Sequence, residues 1–528
     1  MRSIIPQAAS CLLLAISFGA NGFGATYNIR DYGAKGDKTA NEQAAIQAAI
    51  DACNQAGGGE VLVPAGNYRA GRINLKSNVT LKLETGATIW STDKIEDFDS
   101  HPSPREHGFL ITAEGQENIA VVGEGTLEGT GQAELSRRTG DYVHQPAHRF
   151  GMIEFKHCQN VRLRDFEILF SEAHTVMFRE CQDVSVIGVN ILNNYLRSET
   201  DGIDPVSCKN VLISNCHIVA GDDTICPKTE RGIPLENLVV DNCILESAAT
   251  AVKFGTGSSG VFRDVRVSNC VIRNSLQGIG LFIRDGGGVE RASFSNISIE
   301  TTTPDMPIAP LLRSTIAPIF INLAKRNADT PLAFVHDVSF SDIQIESDHG
   351  ILIQAMPQRP IENLTLRNIS FRVTKAIDFS KRTKATGGGN TYRDENTDRI
   401  VRQPTYIALA YIHGLTVDDV RVLIDPDVFK QCDCSALAVF ESRNAVISNV
   451  QRDPVGKSGG QPVATLENCE QVLVTGCLAL PGTPVFLGLA GKETKGINLA
   501  GDDLSNAATP VIRDAAVPPD ALKTQAAN

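Results

Sequence analysis

Short runs in which apolar and polar residues alternate recur along most of the chain at nearly constant spacing. The clearest are Cys158-Gln-Asn-Val-Arg-Leu, Cys181-Gln-Asp-Val-Ser-Val and Cys208-Lys-Asn-Val-Leu-Ile, which begin 23 and 27 residues apart. Leu238-Val-Val-Asp-Asn-Cys243 and Val265-Arg-Val-Ser-Asn-Cys270 repeat at 27 residues, and Val338–Ile343, Leu364–Ile369, Leu415–Val420 and Val472–Cys477 keep the same grammar. Each unit has two or three alternating apolar residues, a polar turn of Asn, Asp or Gly, and another apolar strand, which is the period of half-buried strands. One such coil cannot bury its inward face, whereas stacked coils share a single long interior. Helical periodicity is missing between the strands, so alternating β-α units are excluded. The pattern predicts an all-β chain folded as a right-handed, single-stranded parallel β-helix.

The open end of a coil stack is an unpaired sheet edge and needs a cover. Ile46, Ala49, Ile50 and Cys53 share one helical face, and Thr39 with Glu42 reads as a capping box, so a helical cap is predicted over residues 40 to 56. Gly57-Gly-Gly59 then stops the helix and returns the chain to a strand around Val61.

Length alone would divide 528 residues among several domains, but the repeat makes one continuous domain of residues 26 to 505, followed by a tail over 506 to 528 that closes or leaves the stack. Arg2, the apolar stretch Cys11–Phe18 and small residues at Gly22, Gly24 and Ala25 read as an export signal over residues 1 to 25. That stretch is too short to span a membrane and no later run is long enough, so a secreted or periplasmic protein with no membrane partner is expected. The formal net charge of −12 and the absence of a basic stripe argue against nucleic acid. They also leave any recognition of an anionic ligand to a few local cations.

The 13 cysteines fall mostly at equivalent repeat positions, and they read as reduced thiols stacked in the core, with adjacent-coil pairs such as Cys216 and Cys243 left open as disulfides; Cys432 and Cys434, flanking one loop residue, are the exception to watch. No cysteine spacing makes a zinc site. The sequons at Asn78, Asn296, Asn363 and Asn368 sit inside repeat phrases and read as turn or ladder residues. Residues 374 to 403, rich in Lys, Arg, Thr and Gly, interrupt the pattern as a long excursion.

Equivalent positions on neighbouring coils stand roughly 5 Å apart. Asp201, in Glu199-Thr-Asp-Gly202, and Asp222, in Gly221-Asp-Asp223, are 21 residues apart, about one coil, so they stack on one face. In a regular strand Asp222 and Asp223 would point to opposite faces and bury one carboxylate at large cost. Gly221 permits a bulge that lets both face out. Three crowded carboxylates raise at least one pKa, as a general acid working near neutral pH requires.

At these residues the chain resembles glycoside hydrolase family 28, the polygalacturonase family, in its divergent bacterial branch. The likeness rests on Tyr32-Gly-Ala-Lys-Gly-Asp37, Gly59-Glu-Val-Leu-Val-Pro-Ala-Gly66, Thr200-Asp-Gly-Ile-Asp-Pro205 and Gly221-Asp-Asp-Thr-Ile225. The resemblance implies hydrolysis of a pectin-type polysaccharide, galacturonan or rhamnogalacturonan, with inversion, no metal and no cofactor, by a protein that acts as a monomer. It implies Asp222 as the acid that protonates the leaving oxygen, with Asp201 and Asp223 activating water.

The chain also departs from the family pattern. Glu199 stands where the family has Asn, and Ala249-Thr250-Ala251 stands where it has Gly-His-Gly. The Arg-Ile-Lys motif that grips a galacturonate carboxylate has no clean equivalent between Gly278 and Asp285. Lys228, Lys253 and Arg284 are the expected replacement cations, each either contacting substrate or pairing with nearby acids. His174 is expected to face the sugar; Arg149 and Arg197 are weaker candidates. Two other readings remain open: a polysaccharide lyase, with Asp201, Asp204, Asp222 and Asp223 as a calcium site, and a noncatalytic β-helix that binds glycans.

Overall fold

The structure, a computed structural model, describes residues 25–98, 108–131, 149–301, 317–376, 400, 402–428, 430–431, 433–454 and 460–524. The expected signal up to residue 24, Cys432 and most of the excursion over 374 to 403 lie outside these residues. Among the described residues no helix is long and apolar enough to cross a membrane.

Every ladder between the named strands is parallel, and each strand pairs with its counterpart one coil further on. One sheet of 26 strands carries two of the faces of each coil. The remaining face runs as five strands ending at Ile203–Val206 and then nine beginning at Thr250–Thr256. Single bridges from Ile203 to Ile225 and from Ile225 to Val252 join the two blocks. The break in regular pairing therefore falls at the coil that bears Asp222 and Asp223.

Inward positions alternate as the repeat requires: Val161, Leu163, Val184, Val186, Val211 and Ile213 are all buried. Aromatic rings fill the wider coils, with Phe254 edge-on to Phe262 and Phe294 stacked on Phe340 at 4.8 Å. Each such large apolar side chain contributes about 1.5–3 kcal/mol on burial.

The corners between faces need a left-handed residue, and Asn and Asp adopt that conformation at least cost. Asn210, Asn237 and Asp264 hold φ of 56°, 58° and 58° at one corner, and Asn242, Asn269 and Asn296 hold 54°, 55° and 52° at the next. Their side chains form ladders, as in Asn237 Nδ2 to Asn210 Oδ1 at 2.8 Å. The sequon residues belong to these ladders: Asn296 donates to Asn269, Asn363 to Asp337 and Asn368 to Asp342, while Asn78 accepts from Asn118.

The cap is the helix Gln43–Gln55, which buries Ile46, Ala49, Ile50 and Cys53 over the first coil. Its start differs from the expected capping box. Glu42 turns away from the helix and accepts from the backbone N–H groups of Lys35 and Gly36, while Thr39 bonds Asp37. A carboxylate that closes the preceding loop satisfies two N–H groups there, and Asn41 takes the Gln43 N–H instead. At the other end the boundary at 505 falls inside the last coil: Thr509–Arg513 adds a strand to the nine-stranded sheet and Leu522–Thr524 adds one to the 26-stranded sheet. Among the described residues the cysteines are buried, Cys434 included.

Candidate active site

The outward face of the interrupted sheet gathers four aspartates and two lysines. Asp201 precedes the strand Ile203–Val206, and Asp204 follows Ile203, whose side chain points inward, so both carboxylates reach the outer face. Asp222 and Asp223 come from the next coil, in the irregular stretch before Ile225. Gly221 is required there for space: a Cβ would collide with the Arg197 carbonyl of the preceding turn. That turn is pinned by Asn193, which bonds Thr175 Oγ1 and the Thr200 carbonyl, and by Thr200 Oγ1, which accepts from the Gly221 N–H.

Each carboxylate has its own partners. Lys228 Nζ lies 3.0 Å from Asp201 Oδ2 and 2.7 Å from Asp204 Oδ2. Lys253 Nζ lies 2.6 Å from Asp223 Oδ2, and the Thr250 N–H donates to Asp223 Oδ1 at 3.1 Å. Asp222 Oδ2 accepts from the Glu199 N–H at 3.0 Å. Single ligand atoms of Asp201, Asp223 and the buried Cys226 all lie within 4.8 Å of one another.

These surroundings separate the acids. Burial and the charges of Asp223 and Asp201 push Asp222 up to about 8. Burial also pushes on Asp201, but Lys228, His174 and Lys253 outweigh it and hold its carboxyl well below the usual range. Asp204 is driven well up by burial, with the charge of Asp201 adding and Lys228 opposing. Asp223 is raised by burial, with Lys253 opposing. Near neutral pH the arrangement therefore holds a protonated Asp222 beside an ionised Asp201, two states suited to opposite halves of acid–base chemistry.

Of the other sequence candidates, His174 stands at the rim, Nε2 at 3.7 Å from Asp201 and 3.6 Å from Asp204. Lys228 and Lys253 are both mostly buried and engaged with the aspartates. Arg284 is fully buried and donates to Asn322 Oδ1 at 2.8 Å, so a ligand arriving from solvent does not reach it. Its position after the inward Ile283 does point it to the outer face, but Asn322 on the next strand draws the guanidinium down. Arg149 pairs with Glu199 at 2.7 Å, and Arg197 is buried with Nε on the Glu172 carbonyl. Asp204 and Thr250 take part in the cluster without having been singled out as catalytic. The signal for Asp204 was strand alternation behind Ile203; Thr250 acts through its backbone N–H and carried none. Phe109, Met177 and Val206 form a small apolar cluster outside the main core, on the N-terminal side of the lysines.

The family described as Glycosyl hydrolases family 28 matches residues 53–386. A probable polygalacturonase of Vitis vinifera is 27% identical over 49% of this chain and 57% of that protein. An exo-poly-alpha-D-galacturonosidase of Dickeya chrysanthemi is 26% identical over 54% of this chain and 56% of that protein. The chain thus spans little more than half the length of these two relatives. Among solved structures, a Thermotoga maritima exopolygalacturonase superposes with a TM-score of 0.56 at 22% identity, over 67% of this chain and 88% of that one. A Yersinia enterocolitica family 28 exopolygalacturonase gives 0.58 at 18% identity, over 81% and 79%. Both structures share the parallel β-helix.

Proposed function

This chain belongs to glycoside hydrolase family 28, and on that premise we propose that it hydrolyses glycosidic bonds of a pectin-type polysaccharide, galacturonan or rhamnogalacturonan. The observation that carries this reading is the gathering of Asp201, Asp222 and Asp223 in one cluster, where Lys228 and Lys253 pair with Asp201 and Asp223 while Asp222, among the described residues, pairs with no lysine and is pushed up by burial and its charged neighbours. Asp222 gives its proton to the glycosidic oxygen as the bond to the anomeric carbon breaks. Asp201 or Asp223 takes a proton from the attacking water, whose oxygen bonds that carbon from the opposite face with inversion. The two relatives described as a polygalacturonase and a galacturonosidase support the substrate class.

His174 at the rim is proposed to face the sugar. Arg284 is not, because it is buried. The apolar stretch Cys11–Phe18 supports export to the cell exterior or periplasm, and the enzyme is proposed to act as a monomer. The lyase reading is less well supported: Lys228 already lies between Asp201 and Asp204, and a calcium ion there would meet its ammonium and that of Lys253.

The test is reducing-sugar release from homogalacturonan, rhamnogalacturonan and neutral glycans, with Asp222→Asn alongside and ultraviolet absorbance recorded for unsaturated ends. Cleavage without new absorbance, abolished in the variant, is the expected result. Rising absorbance would establish a lyase, and binding without cleavage of any glycan would favour a noncatalytic β-helix.

A further inference from the structure

Two motifs expected of the family are missing around one strand pair, and the structure shows what stands in their place. Thr250 occupies the position of the family histidine and is buried, with Oγ1 on Gln277 Oε1 at 2.7 Å. The next strand, Gln277–Ile283, presents Gly280 and Phe282 where the sequence lacks Arg-Ile-Lys. Gly280 has no room for a side chain: a Cβ would lie 2.5 Å from Phe282 Cε2, because the ring folds across it. Lys253 pairs in register with Gly280, and its ammonium lies 5.7 Å from the centre of the Phe282 ring.

Lys253 is thus walled on one side by an aromatic ring. On the other side it faces Asp223, within the electrostatic reach of Asp222 and Asp201. Its ammonium is 2.6 Å from Asp223, and the Thr250 N–H holds the second oxygen of the same carboxylate. Among the described residues, the adjacent Asp222 accepts from a single backbone donor, the Glu199 N–H. Hydrogen bonds and an opposite charge favour the ionised form of the group they touch. A proton entering this cluster therefore goes to Asp222 in preference to Asp223.

We propose that Lys253 is a positioning residue that assigns the proton within the cluster, fixing Asp223 as the charged member so that Asp222 is the acid. The proposal rests on the hydrolase reading above. In the reaction Asp222 loses its proton to the leaving oxygen while Asp201 or Asp223 gains one from water, so the cluster as a whole keeps its charge. This role differs from gripping a substrate carboxylate, which would leave the ammonium free of Asp223.

The experiment uses the full chain with Lys253→Met, Lys253→Arg, Asp222→Asn and Asp223→Asn. On the glycan that the wild type cleaves, Lys253→Met is expected to lower kcat about 100-fold or more with KM changed less than about two-fold, and Lys253→Arg to recover part of the loss. A raised KM with unchanged kcat would overturn the proposal in favour of substrate binding. Independently of turnover, a pH titration of carbon-13-labelled aspartate carboxyls identifies Asp223 by the signal lost in Asp223→Asn. In Lys253→Met that signal is expected to titrate more than about one pH unit higher; an unmoved signal would overturn the proposal. If the wild type cleaves no glycan, the hydrolase reading fails by itself, and the titration still decides the role of Lys253.

Discussion

Asp222 keeps its proton to about pH 8 because burial and the charges of Asp223 and Asp201 oppose its ionisation. If Asp222 is the acid, as proposed, losing that proton stops the reaction, so the rate is expected to fall as pH rises through about 8. A pH profile of kcat/KM checks this, with Asp222→Asn, lower by about 10²–10⁴-fold, as the reference. The same environment costs stability. In the unfolded chain the carboxyl ionises near 4, so between about pH 4 and 8 the folded state holds a proton that the unfolded state has released. Stability contributed at this site therefore declines as pH rises across that window. Asp222→Asn is expected to exceed the wild type by at least about 1 kcal/mol at pH 8 and to lose the advantage toward pH 4. Denaturant melts at the two pH values measure the difference, and a gap of equal size at both would refute it.

Lys228 is the counterpart at the other pair of carboxylates, bridging Asp201 and Asp204 in a mostly buried setting. Removing one member of a buried ion pair leaves charge uncompensated and costs about 3–5 kcal/mol. Lys228→Met is expected to fall in that range by urea denaturation. Adding Asp201→Asn should return part of the loss, because the carboxylate left ionised without its lysine is then gone.

The element that presents the acids is the turn through Gly221, held under the Arg197 carbonyl and the Thr200 hydroxyl. Gly221→Ala forces the two backbones apart and moves Asp222 and Asp223 together. A stability loss of about 1–3 kcal/mol is expected, with activity falling by more than 100-fold, since misplacing catalytic groups by about 1 Å costs that much. Melting temperature and kcat measured on the same preparation separate the two effects; activity retained at wild-type level would show that the turn tolerates the shift. Coils, corners and cap helix were legible because each depends on a local pattern: inward Val and Ile at period two, Asn or Asp at a left-handed corner, one apolar face on residues 46 to 53. The aspartates were legible through their spacing of one coil. What escaped was chemistry with more than one local solution. Glu42 had a helix end and a loop to serve and took the loop. The depth of Arg284 depends on Asn322 a full coil away, and the Thr250 N–H belongs to every residue type alike.

At the scale of the whole molecule, the formal charge of −12 opposes the approach of a polyanionic glycan. The lysines nearest the acids do not reverse this at a distance, because Lys228 and Lys253 are already paired with Asp201, Asp204 and Asp223. Long-range repulsion is screened by salt, the Debye length shrinking from about 30 Å at 0.01 M to about 8 Å at 0.15 M, whereas the buried pairs are screened much less. For homogalacturonan, kcat/KM is therefore expected to rise as salt increases over that range, the reverse of an enzyme that draws its substrate in with a basic cleft. The same measurement on a neutral glycan supplies the baseline, since no steering acts there. A fall in kcat/KM with salt on the anionic substrate would show that cations near the cleft outweigh the net charge, and would relocate recognition from the paired lysines to a basic surface beside them.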